Sequence, residues 1–215
     1  MILLLTLSSQ IVLSQPNDPF LESYSVRKKN YPEKAKEYKD IAGSPYLNSE
    51  FVDGSFYLKD TVVIKLPMRY NIYADEMEYK FNGVNYAVGN PLALNKIVIG
   101  DSKYLYLPHL QKGGYYELLE FGKCTLIQKK VVEIKPAEGP KPMQPDVVPA
   151  TFVRKSDVNY FLVNDSNLYR LDNLRAVKNA LQDHKTQIDE FLKYENIKRI
   201  NQENLIKIAK FYNSL

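Results

Sequence analysis

From Phe51 to about Lys135 the chain alternates short apolar runs, rich in Val, Ile, Tyr and Phe, with turn signals at Lys59-Asp60, Asn82-Gly83, Gly89-Asn90-Pro91, Gly100-Asp101, Gly113-Gly114 and Gly122-Lys123. Runs of this length bounded by Gly, Pro, Asn and Asp predict an antiparallel meander. "LALNKIVIG", "KYLYLPHL", "GYYELLEF" and "CTLIQKKVVEIK" supply its later strands. The pattern breaks at "KPAEGPKPMQPDVVPA", where prolines at 136, 140, 142, 145 and 149 deny the backbone regular ladder pairing, so 136–150 reads as an extended linker or crossover. Beyond it, "ATFVRKSDVNYFLVNDSNLYRLD" predicts two more strands around an Asn164-Asp165-Ser166 turn. The apolar period then changes to three and four: Leu174, Val177 and Leu181 behind Asn173, then Ile188, Phe191 and Leu192, then Leu205, Ile208, Ala209 and Tyr212 behind Asn201. These are helices with one apolar stripe each, packed on one side. The expected fold is α+β, an antiparallel curved sheet or partial barrel followed by a C-terminal helical subdomain.

The densest chemistry lies in "MRYNIYADEMEYKFNGVNY", Met68 to Tyr86. Asn82-Gly83 favours a two-residue type I′ turn that pairs Phe81 with Val84, Lys80 with Asn85 and Tyr79 with Tyr86. A second turn centred on Ala74-Asp75 would pair Ile72 with Met77 and Tyr70 with Tyr79. Both turns place Met68, Tyr70, Ile72, Met77, Tyr79, Phe81, Val84 and Tyr86 on one face, and Arg69, Asn71, Tyr73, Glu76, Glu78 and Lys80 on the other. On that polar face Asn71 is expected opposite Glu78, with Arg69 and Tyr73 as diagonal neighbours of the same carboxylate. Arg69, Tyr73, Glu76 and Glu78 are therefore the candidate binding residues, in what the sequence reads as a solvated strand face. Glu76 and Glu78 stand about 7 Å apart along the strand, which offers the two carboxylates of a glycosidase only if the face lines a cleft.

The N-terminal pattern is different. "MILLLTLSSQIVLSQ" is an apolar run ending in Val12-Leu13-Ser14, and predicts a secretory signal peptide over 1–14 with Gln15 as the mature terminus. No basic residue precedes the run and no cysteine follows it. The lysine-rich segment 15–50 is expected to hold one short helix, with Pro32 near its start and Gly43 at its stop. The remaining organisation is an antiparallel β domain over 51–135, the proline-rich break over 136–150, and two strands plus helices over 151–215. No later segment approaches the ~20 apolar residues of a membrane span.

Composition narrows the classes. The 215 residues are 45% hydrophobic, enough for a core, and the net charge of +4 does not demand a nucleic-acid partner. Seventeen tyrosines beside nine glycines, with no Gly-rich phosphate loop, disfavour a nucleotide-binding fold. Cys124 is the only cysteine and reads as a buried strand residue, so no internal disulfide is available. His109 and His184 have no metal-ligand spacing, and neither a metal nor any other cofactor is expected. Lys198, Arg199, Lys207 and Lys210 form a basic stretch that reads as a solvated helix face.

Through "GSPYLNSEFVDGSF", "LPMRYNIYADEMEY", "LLEFGKCTLIQKK" and "ENLIKIAKFYNSL", the chain resembles a group of uncharacterised exported proteins of Bacteroidetes. The resemblance covers most of the mature chain and implies compartment and layout, with no activity or ligand. Together these features predict a non-enzymatic exported accessory or binding protein of the bacterial envelope, in the periplasm or at the cell surface. Its expected partner is an envelope protein, lipid or glycan, held on a tyrosine-rich sheet face. The rival readings are an envelope-glycan hydrolase using Glu76 and Glu78, and a carrier for a small apolar ligand.

Overall fold

The computed structural model describes residues 38–58, 62–110, 113–140, 147–164 and 166–215. The expected signal peptide lies outside these residues, as does the expected helix up to residue 37; from Tyr38 to Gly43, where that helix was expected to continue to its stop, the chain forms a turn and an isolated bridge from Ala42 to Thr151. The meander runs as β1 (Val52–Leu58), β2 (Val62–Asn71), β3 (Glu76–Phe81), β4 (Val84–Ala87), β5 (Leu94–Ile99), β6 (Ser102–Leu107), β7 (Gly114–Glu120) and β8 (Cys124–Lys129). Past the proline-rich segment, β11 (Val158–Val163) and β12 (Asn167–Arg170) add directly onto β8, giving one ten-stranded antiparallel sheet of order β12-β11-β8-β7-β6-β5-β1-β2-β3-β4. The main sheet therefore resumes after the proline-rich break, with β11 beside β8. The run "CTLIQKKVVEIK" is two strands, not one. After β8 the chain leaves the main sheet, and β9 (Val132–Lys135) pairs with β10 (Thr151–Arg154) in a separate two-stranded ribbon.

The sheet is curved without being closed. Tyr70 on β2 has its ring 5.5 Å from that of Tyr104 on β6 and 6.1 Å from that of Tyr115 on β7, although three strands separate β2 from β7. Strand twist accumulates to bring those faces together. The concave face is filled by Phe56, Met68, Tyr70, Met77, Tyr79, Ile97, Tyr104 and Tyr115, all buried. Of the residues expected on the apolar face of the hairpins, Met68, Tyr70, Ile72, Met77 and Tyr79 are buried in this core and Phe81 and Tyr86 pack against it, while Val84 is exposed.

The same sheet carries a second core at its other end. Helices α1 (Leu174–Ala180), α2 (Lys185–Tyr194) and α3 (Gln202–Asn213) cover β8, β11 and β12, with Leu126 and Phe161 meeting Val177, Ile188, Leu205 and Ile208. Both expected caps are made: the Asn173 side chain accepts from the Ala176 amide, and that of Asn201 from the Asn204 amide. Asn213, at the end of α3, accepts from the Cys124 amide at 2.8 Å and donates to the Cys124 carbonyl at 3.1 Å, pinning the helix to the start of β8. Cys124 is fully buried, and burial pushes its thiol up to about 12. A thiolate-directed disulfide reagent is therefore expected to leave the native protein unlabelled near pH 8 and to react only as the chain unfolds. Fast stoichiometric labelling of folded protein would contradict this packing.

Candidate functional site

The Asn82-Gly83 turn forms as the sequence dictates. Both residues take positive φ, 47° and 75°, and the pairs Phe81 with Val84, Lys80 with Asn85 and Tyr79 with Tyr86 are present. The other turn differs. Four residues, 72–75, connect β2 to β3, so Tyr70 pairs with Met77 and Met68 with Tyr79, two positions from the expected register. A shift of two preserves the faces, so the apolar set stays intact. The cause is local bonding that a two-residue turn cannot make. The Asn71 side chain accepts from the Ala74 amide, Asp75 takes φ 52°, and the Ile72 amide donates to the Pro45 carbonyl at 2.8 Å.

This register puts Arg69 directly opposite Glu78, where Asn71 was expected. Arg69 Nε donates to Glu78 Oε2 at 2.8 Å, and Nη1 donates to the Ser49 carbonyl at 2.9 Å. The face is not solvated. The Glu78 side chain is 1% exposed and that of Arg69 12%, because residues 45–51 lie across them. The Tyr46 ring centroid is 3.8 Å from the guanidinium carbon and that of Phe51 4.4 Å. Such cation–π contacts favour the charged guanidinium in a desolvated site. Burial lowers the Arg69 pKa from its ordinary value and raises that of Tyr46, whose phenol the guanidinium pulls back down. Glu76 is at the start of β3, opposite Asn71 and on the same face as Glu78. Tyr73 is elsewhere: it occupies the turn, 45% exposed, with its ring 5.3 Å from Phe152 and 6.1 Å from Tyr38. The structure thus brings Arg69, Glu78 and Glu76 to one face and separates Tyr73 from them.

The hairpin tip has a further role. Asp75 accepts from the Tyr70 hydroxyl at 2.5 Å and pairs with Lys129 at 2.7 Å, while Lys129 also donates to the Tyr115 carbonyl at 2.9 Å. A side chain at Gly114 would collide with the Asp75 carboxylate and the Lys129 amine, so glycine is required where the tip meets β7. This clasp fastens β2–β3 to β7–β8 across the mouth of the curved sheet.

A second polar cluster was not legible as a site in the sequence. Lys130, following β8, reaches Glu117 at 2.6 Å, Asp157 at 3.0 Å and Gln128 Oε1 at 2.5 Å, which occupies all three ammonium donors. Glu117 also accepts from Ser102 at 2.6 Å, Arg154 pairs with Asp157 at 3.2 Å, and Gln128 donates to Asn159 at 2.9 Å. These residues lie on the concave side between the two apolar cores. Their separation in sequence, from 102 to 159, is bridged only by the strand order, and no short motif joins them. Two cations face two carboxylates, and the lysine that would serve as a base is saturated with acceptors.

Among the described residues no three His, Cys, Asp or Glu side chains converge as a metal site requires, and no helix is long and apolar enough to cross a membrane. Comparison with protein-family models, curated proteins and solved structures finds no match for this chain.

Proposed function

We propose that this chain is a non-enzymatic exported accessory protein of the bacterial cell envelope, which binds another envelope component. The observation that carries the reading is the fate of the charged hairpin. Arg69 and Glu78 pair with each other beneath Tyr46 and Phe51, so the carboxylate most needed by a glycosidase reading lies under a structural cover. The two other polar clusters, around Asp75 and Lys130, hold strands together in the same way. The interior that an apolar-ligand carrier would keep open is occupied by the side chains of Met68, Met77, Tyr70 and Tyr104, each at most 1% exposed. Export is supported by the apolar run ending at Ser14 and by the resemblance to exported Bacteroidetes proteins. A large rigid sheet with its chemistry spent on its own fold is suited to presenting surfaces, and its binding face lies outside the tyrosine-lined concavity.

The test is recovery of the protein from its own cells. The mature chain is expected to begin at Gln15 and to co-purify with washed envelope, where a pull-down with mass spectrometry of proteins, lipids and glycans identifies the partner. Recovery in the cytoplasm with Met1 retained would overturn the reading.

A further inference from the structure

The basic stretch near the C-terminus divides in the folded protein. Lys207 pairs with Glu195 and Glu203, and Lys210 lies 3.9 Å from Glu120, so both have carboxylate partners. Lys198 and Arg199 have no carboxylate partner among the described residues and instead line a groove of about 500 Å³ with Asp172, Asn173, Leu174 and Arg175. A second groove of about 480 Å³ adjoins it, sharing Leu174 and Arg175 and adding Lys178, Asn179, Gln182 and Lys185. Of the acids nearby, Asp172 is paired with Arg170 and Asp189 with Lys178. Arg175, Lys185, Lys198 and Arg199 are all exposed and have no carboxylate partner among the described residues, which leaves net positive charge on the lining of these two grooves.

We propose that this paired groove binds an acidic glycan strand. The proposal rests on the binding-protein reading above and gives its partner a chemical class. Complementarity selects an anion, and two adjacent depressions that share Leu174 and Arg175 offer room for more than one unit of it. The remaining lining chooses among polyanions. Asn179 and Gln182 add side-chain amides to the lining, and the Asn173 amide nitrogen adds a donor beside its capping oxygen, which supplies donors and acceptors for sugar hydroxyls as well as cations for carboxylates. No aromatic ring lines either groove, so there is no platform on which the bases of a nucleic acid could stack. The apolar lining residues Leu174 and Ile200 are packed against the helical core and are not raised as a wedge for a lipid surface.

The experiment titrates the full mature chain into a labelled polygalacturonate oligomer at low ionic strength and follows anisotropy. A neutral dextran oligomer, oligo(dT) and phosphatidylglycerol vesicles serve as competitors. Arg175→Glu with Arg199→Glu is compared with Lys65→Glu plus Lys103→Glu, which makes the same change in net charge on exposed positions of the sheet. Thermal unfolding of each variant confirms that it is folded. The expected result is saturable, salt-sensitive binding that falls about tenfold or more in the groove variant and stays within about twofold in the sheet variant. No binding by the wild type, an equal loss in both variants, or stronger competition by oligo(dT) or vesicles would overturn the assignment. Envelope retention without polygalacturonate binding removes this inference alone. Binding without envelope retention leaves the groove standing and removes the envelope reading.

Discussion

Raising the pH is expected to unfold this protein cooperatively, beginning above about pH 10, with a large part of its tyrosine ionising only as the structure is lost. Burial first of all raises the pKa of Tyr70, Tyr79, Tyr104, Tyr115 and Tyr116, the last to about 12 and the others beyond it. At Tyr70 the Asp75 carboxylate adds to the effect, and at Tyr79 the neighbouring Tyr86 does. A group whose pKa is higher in the folded state contributes its full stability below the unfolded value of ~10 and loses it as pH rises toward the folded value. Each such tyrosine costs about 1.4 kcal/mol per pH unit in that window, so five together remove a typical domain stability of roughly 5–15 kcal/mol within about one to two units. Tyrosinate absorbance followed with circular dichroism checks this. Ionisation of these five rings should coincide with the loss of the native dichroism. Smooth ionisation of all seventeen tyrosines in a protein that keeps its native spectrum would contradict the buried interior.

Arg69→Ala is expected to lower the unfolding free energy by roughly 3–5 kcal/mol, because it leaves the Glu78 carboxylate buried without its cation. The same change also uncouples Ser49, Tyr46 and Phe51 from the strand they cover. In a double-mutant cycle with Glu78→Ala, measured by denaturant unfolding, the coupling should exceed roughly 2 kcal/mol. An exposed pair of the kind read from the sequence would instead show roughly 0–1 kcal/mol and little coupling. That smaller result would mean that the 45–51 segment does not hold the pair out of water in solution.

The contrast between these two values marks where sequence reasoning stops. Asn82-Gly83 dictates its turn, because only residues tolerant of positive φ fit there, and the register of β3–β4 follows from it. Asn173 and Asn201 fix helix starts for a similarly local reason. The register at the Ala74-Asp75 turn differs by two residues from the one alternation implies, because its amides bond to Asn71 and Pro45, and the second of these is distant in sequence. The burial of Glu78 depends on Tyr46 and Phe51, on a segment whose lysine-rich neighbourhood gave no sign of covering a sheet. Ser102, Glu117, Lys130 and Asp157 meet only because β11 pairs with β8 after the proline-rich break. A strand order of this kind is a property of the whole chain, and alternation within single strands does not encode it.

If the charged hairpin is part of the scaffold, the proposed envelope binding does not depend on it, and one measurement separates those roles. Arg69 and Glu78 are replaced together by Met, which removes both charges at similar volume and is often tolerated where a buried ion pair is exchanged for apolar packing. The folded double variant is then assayed beside the wild type for retention on washed envelope from its own cells. The account predicts equal retention. A double variant that keeps the native dichroism and a cooperative unfolding transition but is released from the envelope would make this hairpin the binding site and contradict the account.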